Sequence, residues 1–383
     1  MTHPVQYWSP WFRFLTERVP DVDLSVVYAT LPSAEQQGVG FDQEVTWDVP
    51  LLEGYSSEVI RPSRPGERLD SDSFWGIDVP EIGAAVLSTR PDVALVSGWQ
   101  SVCLVRAVRA CRANHIPVLY RGDSHGASQQ SSLRRALSRL RARWMLRHFS
   151  GYLVAGKRAR DYLESFGLPK SSLFDVPHCV DNAFFADRAS PHQTEEGRAL
   201  AREALGLKPD DFVILLAGKL TRAKRPQDAI RAIANMDENV KLLVAGSGPL
   251  ESECRALAEN LGAPVSFAGF MNQTALPKAY AVSDCLVLPA RETWGLVVNE
   301  AFATGLPCVA NDTAGCVPDL IEPGKTGEVY RFGDVSSLCS ALSRLRSVGP
   351  AAMGERCREL VSAFSYERAS AGLMDACRAV LDM

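Results

Sequence analysis

The chain has 383 residues, of which 46% are hydrophobic and 22% are charged, a composition that fits a globular protein of two ordinary-sized domains. Its formal net charge of −4 and the lack of a nucleic-acid-binding motif argue against a nucleic-acid partner. Ten scattered cysteines without a Cys-x-x-Cys pair, no secretory leader and no apolar run of roughly 20 residues together predict a cytoplasmic protein with reduced thiols.

Short apolar runs alternate with longer amphipathic segments along the chain, as expected for parallel strands connected by helices. The predicted strands of the first half are 24–29, 93–97, 117–121, 151–155 and 173–177. After a polar stretch at 187–197, the predicted strands of the second half are 212–218, 240–246, 265–268, 285–289, 307–310 and 327–330. The last segment, 366–381, is predicted to be a helix that packs back on the first domain.

This alternation predicts an α/β fold with two Rossmann-like, doubly wound parallel-sheet domains that face a central cleft. We expect the first domain over residues 1–190, the second over 191–365 and the C-terminal helix over 366–383. The first helix is predicted to begin near Pro10, which leaves only Met1–Gln6 ahead of it, too few residues for the opening strand of such a domain. Either the native chain starts further upstream or this sheet lacks its first strand.

The most informative segment of the second half begins at Glu292 and ends at Glu300. It joins a predicted buried strand to a predicted helix, so one glutamate lies in the loop and the other about two turns into the helix. The amides of Trp294, Gly295 and Leu296 lie at the helix start, where N–H groups and the helix dipole stabilise an anion such as a diphosphate. Carboxylates on both sides of an anion site suit a ligand with hydroxyls at both ends, such as a nucleotide sugar.

A basic loop follows the first predicted strand of the second half and carries four cations between Lys219 and Arg225. We expect Lys219 and Lys224 to face a diphosphate held at the strand ends. A solvated loop is the alternative interpretation. The Glu292–Glu300 segment at the edge of the same predicted cleft favours the interpretation in which these lysines bind a diphosphate.

Residues 122–126 read Gly-Asp-Ser-His-Gly and match the nucleophile elbow of α/β-hydrolases, with Ser124 as the candidate nucleophile. An elbow leads directly into a helix, whereas a polar segment with few helix formers follows here. The interpretation that we prefer is that Asp123 and His125 reach into the cleft from the first domain. A Ser124 hydrolase remains as the alternative.

A basic helix is predicted over residues 132–150, with six arginines and with Leu133, Leu137, Leu140 and Trp144 at the spacing of a buried helix face. Two interpretations are left open. The helix packs on its own domain as an ordinary surface helix, or it rests on an anionic membrane or receives a phosphorylated acceptor.

Taken together, these segments resemble those of the family-four retaining glycosyltransferases, which have the GT-B fold. The resemblance covers roughly residues 177–345 and rests on five segments in family order: Glu292–Glu300, the loop with Lys219 and Lys224, Val244–Pro249, Phe267–Phe270 and Gly305–Pro307. The first half departs from the family pattern, because its first loop contains His3–Pro10 and no glycine pair. Similar openings occur in bacterial polysaccharide-type members, and the acceptor contacts cannot be carried over.

The resemblance implies roles for individual residues. Glu292 would contact the donor sugar and Glu300 would bind the ribose hydroxyls. Lys219 and Lys224 would hold the diphosphate together with the amides around Gly295. The loop Gly269, Phe270, Met271 and Asn272 would face the nucleobase, and His125 would lie near the transferred sugar.

The resemblance thus implies a hexosyl-type retaining glycosyltransferase of surface polysaccharide or lipid-linked glycan assembly. It would use a nucleotide sugar as donor and a glycan or lipid-linked acceptor, with peripheral membrane contact through the basic helix. No Asp-x-Asp element follows a strand, so no metal ion or other cofactor is expected. A catalytically silent GT-B partner subunit and a GT-B epimerase or phosphorylase are the remaining alternatives.

Overall fold

The structure is a computed structural model that describes residues 1–62, 73–124 and 132–382, with only the backbone described at 132–135. The chain divides into two compact units. The first consists of Met1–Gln37, Pro50–His178 and Tyr366–Met383, and the second of Gly38–Val49 and Cys179–Ser365. Residues 179–190 and 38–49 therefore group with the second unit, whereas the sequence suggested that the first domain runs without interruption over residues 1–190.

The described part of the first unit contains a two-stranded and a four-stranded parallel sheet. The two-stranded sheet pairs β1 (Ser25–Leu31) with β2 (Ser56–Pro62), and the four-stranded sheet orders β3 (Ala94–Val96), β4 (Val118–Gly122), β5 (Gly151–Val154) and β6 (Leu173–Asp175) in sequence. Strand β2 has no counterpart among the predicted strands. Its residues are mostly exposed and polar, so it lacks the apolar run on which the prediction depended.

The helices of the first unit connect these strands. They are α1 (Ser9–Arg18), α2 (Ala34–Gln37), α3 (Ile82–Ser88), α4 (Val102–Ala113), α5 (Ser132–Leu146) and α6 (Lys157–Glu164). Helix α4 buries Cys103, Leu104, Ala107, Val108 and Cys111, which lie three or four residues apart and so form one face. This face joins the hydrophobic core that also contains β3, β4 and β5.

Helix α1 begins one residue before the predicted Pro10, and no strand precedes it in the described residues. The backbone of the first residues lies beside β1 instead. The amide of Ala29 donates to the Met1 carbonyl at 3.0 Å, and the amide of Thr30 donates to the Thr2 carbonyl at 2.9 Å. These residues therefore extend the hydrogen bonding of β1 without forming a regular strand.

The second unit contains one six-stranded parallel sheet in the order β12-β11-β10-β7-β8-β9. Its strands are β7 (Phe212–Ala217), β8 (Val240–Ala245), β9 (Val265–Gly269), β10 (Cys285–Leu288), β11 (Cys308–Asn311) and β12 (Gly327–Tyr330). Strands β8 and β9 follow on one side of the central β7, and the next strands, β10, β11 and β12, follow on its other side. The β7–β10 pair is therefore the topological switch point, where open α/β sheets bind ligands.

The helices of the second unit lie between these strands or follow them. They are α7 (Asn182–Ala189), α8 (Glu195–Glu203), α9 (Pro226–Ile233), α10 (Glu251–Leu261), α11 (Leu276–Val282), α12 (Leu296–Thr304), α13 (Val317–Leu320), α14 (Val335–Val348) and α15 (Pro350–Ser362). All four residues of both β10 and β11 are buried, as expected for central parallel strands covered by helices on both faces. The predicted α/β class with two parallel-sheet domains is confirmed.

The last helix, α16 (Tyr366–Leu381), belongs to the first unit. Its buried face contains Ala369, Leu373 and Ala376. The indole N–H of Trp11 in α1 donates to the Ser370 hydroxyl at 3.0 Å, which fixes α16 against α1.

The basic helix differs from its predicted packing. Leu137, Leu140 and Trp144 of α5 are 60%, 66% and 43% exposed, whereas Ala142, Met145 and Leu146 are buried. The interpretation of the first three as core residues is therefore wrong, because α5 turns a different face to its own unit. None of the described helices is long and apolar enough to cross a membrane.

Candidate functional site

The two loops that carry the predicted catalytic residues lie next to each other because β7 and β10 are paired. Cys285 of β10 stands beside Ile214 of β7, and Leu286 beside Leu215, in a parallel register. Both strands end at the same edge of the sheet. The loop with Lys219 and Lys224 follows β7, and the loop with Glu292 follows β10, so both loops meet at the switch point.

The backbone around Lys224 separates it from the neighbouring Arg225. A 3₁₀ turn spans Arg222–Lys224, and Arg225 then adopts a left-handed conformation with φ 51° before α9 begins at Pro226. Arg225 pairs with Asp228 through two hydrogen bonds of 2.6 and 3.1 Å. The Lys224 ammonium instead donates to the Glu292 carboxylate, which joins the two loops across the switch point.

The loop after Glu292 leads into the N-terminus of α12. The Gly315 amide donates to the Glu292 carbonyl at 3.0 Å, and the Cys316 amide donates to the Trp294 carbonyl at 3.1 Å. The Trp294 indole is buried and donates to the Asn299 amide oxygen at 2.8 Å, so this residue offers a ligand its backbone and not its ring.

Gly295 is required by the geometry of this loop. Its φ of 109° lies where side chains are rarely tolerated, and a Cβ atom would stand 3.0 Å from Cδ2 of Leu288. This conformation directs the chain into α12, whose first residue is Leu296. The amides at that helix start and the helix dipole favour an anion there.

Glu300 is the fifth residue of α12 and is completely buried. The hydroxyl of Tyr280, from α11, donates to its carboxylate at 2.5 Å. Tyr280 is itself 1% exposed. The sequence did not single out this tyrosine, because its contact with Glu300 joins two helices and has no local spacing that would indicate it.

The predicted nucleobase loop begins at the end of β9. Gly269 is the last residue of that strand, and Phe270 and Met271 are half-buried beyond it. The Phe270 ring lies in edge contact with the Phe41 ring, at 4.8 Å between centroids. Phe41 comes from the segment 38–49, which the sequence did not connect with this site.

Lys219 also contacts that segment. Its ammonium donates to the Val39 carbonyl at 2.7 Å and stands 5.0 Å from the centroid of the Phe41 ring. The structure therefore brings Lys219, Lys224, Glu292 and the start of α12 to the carboxyl edge of one sheet. Glu300 lies beneath the surface in the same helix.

The first unit has a cavity of about 670 Å³ at the carboxyl ends of β3 and β4. Its lining combines aromatic and polar side chains: Trp8, Phe74, Trp99, Tyr120, Tyr162, Gln100, Arg121, Asp123, Ser124 and His178. The Arg121 guanidinium donates to the Val176 carbonyl at 2.6 Å and lies over the Trp8 ring. Burial and the charge of Arg121 lower the pKa of His178 to about 4, against the opposite effect of Asp123. The imidazole is therefore neutral at pH 7.

The structure describes only some of the residues to which the sequence assigned roles in this region. Asp123 lines the cavity and lies 3.8 Å from Nε2 of His178, whereas His125 lies outside the described residues. Ser124 lines the same cavity and hydrogen-bonds the Tyr120 hydroxyl. The His178 ring lies 3.4 Å from the Arg121 guanidinium and 3.8 Å from the Asp123 carboxylate, both of which are charged groups of the cavity. This arrangement gives no support to the Ser124 hydrolase.

The cysteines are mostly in the interior. All ten lie within the described residues, none of them forms a disulfide there, and eight are buried. Burial raises the pKa of Cys285 and Cys308 well above the usual range, so both thiols stay protonated. In residues 1–62, 73–124 and 132–382, no group of three or more His, Cys, Asp or Glu side chains could hold a metal ion.

Curated relatives align with less than half of the chain. The D-inositol 3-phosphate glycosyltransferase of Mycobacterium sp. (strain KMS) is 35% identical over 181 residues, which are 45% of this chain and 40% of the relative. The N-acetyl-alpha-D-glucosaminyl L-malate synthase of Bacillus anthracis is 29% identical over 165 residues, or 42% of this chain and 43% of the relative. The chain thus spans less than half the length of these relatives.

Solved structures match over nearly the whole chain. Anabaena HepE in complex with UDP superposes with a TM-score of 0.72 at 16% identity, covering 98% of both chains. The sucrose-phosphate synthase of Thermosynechococcus elongatus superposes with a TM-score of 0.69 at 19% identity, covering 97% of this chain and 92% of the other. At these identities the likeness concerns the fold, which is that of GT-B glycosyltransferases.

A family model gives the most direct assignment. The model described as glycosyl transferases group 1 matches residues 197–359. These residues include Lys219, Lys224, Glu292 and Glu300. The match thus contains the switch point, the ion pair across it and the buried glutamate of α12. Residues 197–359, less than half of the chain, therefore match the glycosyl transferases group 1 family.

Proposed function

We propose that this protein is a retaining glycosyltransferase that moves a hexosyl group from a nucleoside-diphosphate sugar to an acceptor hydroxyl. The observation that carries the proposal is the Lys224–Glu292 pair across the switch point, beside the N-terminus of α12. A cation, a carboxylate and a helix start at one sheet edge are complementary to a sugar diphosphate.

Each end of the donor has matching residues in this unit. Lys219, Lys224 and the amides of Gly295 and Leu296 would hold the diphosphate, while the Glu292 carboxylate would accept hydrogen bonds from sugar hydroxyls. Glu300 would bind the ribose hydroxyls. Because Glu300 is buried and bonded to Tyr280, ribose binding through it requires local movement of this pair.

The same residues suggest how the reaction proceeds. The bond between the anomeric carbon and the diphosphate oxygen breaks, and the acceptor oxygen bonds to that carbon from the same side, which retains its configuration. The departing phosphate oxygen takes the acceptor's proton. Lys219, Lys224 and the start of α12 stabilise the charge that grows on the diphosphate, and donors of this kind contribute about 2.7–4 kcal/mol each. No metal ion is required in this scheme.

The acceptor is proposed to be a glycan or a lipid-linked sugar in surface polysaccharide or glycoconjugate assembly. The cavity of the first unit supports this class, because the rings of Trp8 and Trp99 offer apolar surfaces and Arg121 and Asp123 offer polar groups. Sugars present both kinds of surface. The curated relatives are named for compounds as different as inositol 3-phosphate and malate, so we assign the choice of acceptor in this protein to the residues of the first unit.

We also propose peripheral contact of α5 with an anionic membrane surface, at the inner face of the membrane. Leu137, Leu140 and Trp144 form an exposed apolar stripe. Three arginines lie near Trp144, at the end of this stripe. Arg147 lies over the Trp144 ring, and Arg109 and Arg112 line a cavity of about 200 Å³ with Trp144 and His148. Burial and these three arginines lower the pKa of His148. An apolar stripe bordered by arginines matches a surface of anionic lipids.

Donor binding tests the proposed activity first. Thermal unfolding is measured with UDP, GDP, ADP, TDP and their sugars, each with and without EDTA. We expect one nucleotide to raise the unfolding temperature equally in both conditions. No stabilisation by any of them would contradict the proposal. Stabilisation that EDTA abolishes would contradict its metal-free form.

Turnover then separates an active enzyme from a silent partner subunit. The selected nucleotide sugar is incubated with candidate hydroxyl acceptors, and release of the nucleotide and the anomeric configuration of the product are measured. We expect a product with the donor's configuration. A nucleotide that binds without any turnover would indicate a silent subunit, and a rearranged or phosphorylated sugar would indicate an epimerase or a phosphorylase.

Vesicle sedimentation tests the membrane contact. The wild-type protein is expected to sediment with vesicles of anionic phospholipid at low salt and to remain in solution with neutral phosphatidylcholine. A Leu137→Gln/Leu140→Gln variant should bind about tenfold more weakly, because two leucines no longer enter the lipid. Leu200→Gln is the matched control, since Leu200 is 61% exposed in α8. Equal binding of both variants would contradict the proposal.

A further inference from the structure

The connection between β1 and β2 is unusually long for a link between paired parallel strands. It runs from residue 32 to residue 55 and contains only the single-turn helix α2. Loops beyond about 12–15 residues without regular structure are uncommon in compact domains and are often functional. The middle of this one, the 38–49 loop, groups with the second unit although the residues on both sides group with the first.

The 38–49 loop is held along one edge of the second unit's sheet. Besides the Lys219 contact after β7, the Ser247 hydroxyl after β8 donates to the Phe41 carbonyl at 2.8 Å. After β9, the Asn272 amide donates to the Thr46 carbonyl at 2.7 Å. The loop therefore crosses the carboxyl ends of three neighbouring strands, the edge at which the proposed donor binds.

The far end of the loop is anchored as well. The Thr274 amide lies 3.2 Å from both carboxylate oxygens of Asp48, and the Thr274 hydroxyl donates to the same carboxylate. Val45, in the middle of the loop, is 1% exposed. Contacts at both ends and a buried residue between them give the loop a defined position on this unit.

The loop brings two aromatic rings to the end of β9. The Phe41 centroid lies 4.8 Å from that of Phe270, and the Trp47 centroid lies 6.3 Å from Phe270 and 6.4 Å from Phe41. All three residues are only half-buried, so parts of their ring surfaces remain accessible. A flat aromatic ligand could lie against these surfaces.

The cluster is close to a phosphate-binding cation. Lys219, a proposed diphosphate ligand, has its ammonium 5.0 Å from the Phe41 centroid. An aromatic surface beside a cation is complementary to a nucleoside diphosphate, whose flat base and charged phosphates lie at opposite ends of a short ribose link. The Phe41–Trp47–Phe270 cluster and Lys219 offer these two features in neighbouring positions.

We infer that Phe41 and Trp47 of the 38–49 loop form, with Phe270, an aromatic wall of the donor site that contacts the nucleobase. This inference rests on the proposed function. It assigns part of donor recognition to a segment that the chain contributes from between β1 and β2, outside the matched family domain at 197–359. The Val39 carbonyl of the same loop accepts a hydrogen bond from the Lys219 ammonium, which positions this cation beside the aromatic wall.

The test compares two ligands by calorimetry or competition. One is the nucleoside diphosphate that stabilises the wild-type protein most, and the other is inorganic pyrophosphate, which lacks a base. Phe41→Ala and Trp47→Ala should each weaken nucleoside diphosphate binding by about 5- to 100-fold, the range seen for loss of a base–aromatic contact. Pyrophosphate binding should change by less than about twofold. Trp47→Phe should retain most of the affinity, because it keeps an aromatic ring.

One control separates the loss of the wall from general damage. Trp75→Ala removes a 67% exposed ring from the first unit. This variant should bind like the wild type. Far-UV circular dichroism confirms that each variant is folded.

The remaining outcomes decide against the inference. An equal loss of both ligands would mean that Phe41 and Trp47 only support Lys219. Tighter nucleoside diphosphate binding by the alanine variants would mean that the loop obstructs the site. Unchanged nucleoside diphosphate binding by the alanine variants would contradict the aromatic wall but not the proposed function. A wild-type protein that binds no nucleotide would contradict both.

Discussion

The ammonium of Lys224 and the carboxylate of Glu292 form an ion pair that joins the loop after β7 to the loop after β10. The side chains are 37% and 22% exposed. Pairs at such sites add little to stability, about 0–1 kcal/mol. The pair therefore has more consequence for the shape and charge of the site than for folding.

Lys224→Ala should consequently reduce activity far more than stability. We expect kcat to fall about 10²- to 10³-fold, since one donor to the growing diphosphate charge is lost. The free energy of unfolding should change by less than about 1 kcal/mol. Steady-state kinetics and urea denaturation measure the two effects, and Lys325→Ala, at an exposed lysine, is the control. A donor Kd that rises as steeply as kcat falls would contradict a role in the chemical step.

Tyr280→Phe should weaken both the fold and donor binding. The variant removes a hydroxyl that donates to the buried Glu300 carboxylate, at an expected cost of about 1–3 kcal/mol in the free energy of unfolding. The nucleotide Kd should rise, because the carboxylate proposed to bind ribose loses the group that orients it.

The matched control for this variant is Tyr152→Phe. The buried Tyr152 hydroxyl donates to the Leu146 carbonyl at 2.8 Å in the first unit. Its loss should lower stability without changing the nucleotide Kd. Urea denaturation measures the stability of both variants, and calorimetry measures their nucleotide Kd. If the Kd changes equally in both variants, the effect of Tyr280 is not specific to Glu300.

Gly295→Ala should distort the start of α12. The substitution places a Cβ atom in a left-handed conformation and 3.0 Å from Leu288, so we expect a loss of about 1–3 kcal/mol in stability and weaker nucleotide binding. Gly262→Ala isolates the backbone effect, because Gly262 has φ 61° with no atom within 4 Å of its added Cβ. It should lose stability but keep its nucleotide affinity, and a similar affinity loss in both would refute the local explanation.

His178 should make stability depend on pH. Its pKa is about 4 in the folded protein, because of burial and Arg121, and about 6.5 in the unfolded chain. Between these values the unfolded chain binds more protons, so this contribution is complete above pH 6.5 and is lost as the pH falls toward 4. The full contribution of His178 to the free energy of unfolding is about 3 kcal/mol. In His178→Gln the urea-denaturation midpoint should depend less on pH between pH 7 and pH 4.5 than in the wild type. The same pH dependence in both proteins would refute the assignment to His178.

The sequence by itself determined the alternation of strands and helices and the grouping of Lys219, Lys224 and Glu292. Central parallel strands are apolar on both faces, so they are visible as short runs, and β7 and β10 were predicted within a residue or two. Loops after parallel strands share one edge of the sheet. Their residues can therefore be assigned to a common site without coordinates.

Only the tertiary structure decided which surfaces are covered. The periodicity of α5 marked Leu137, Leu140 and Trp144 as one face, but a helix's periodicity does not say what lies against that face, and here they are exposed. The contact of Tyr280 with Glu300 and the docking of the 38–49 loop join residues distant in the chain. Such contacts arise from the packing of whole elements, for which local residue spacing carries no signal.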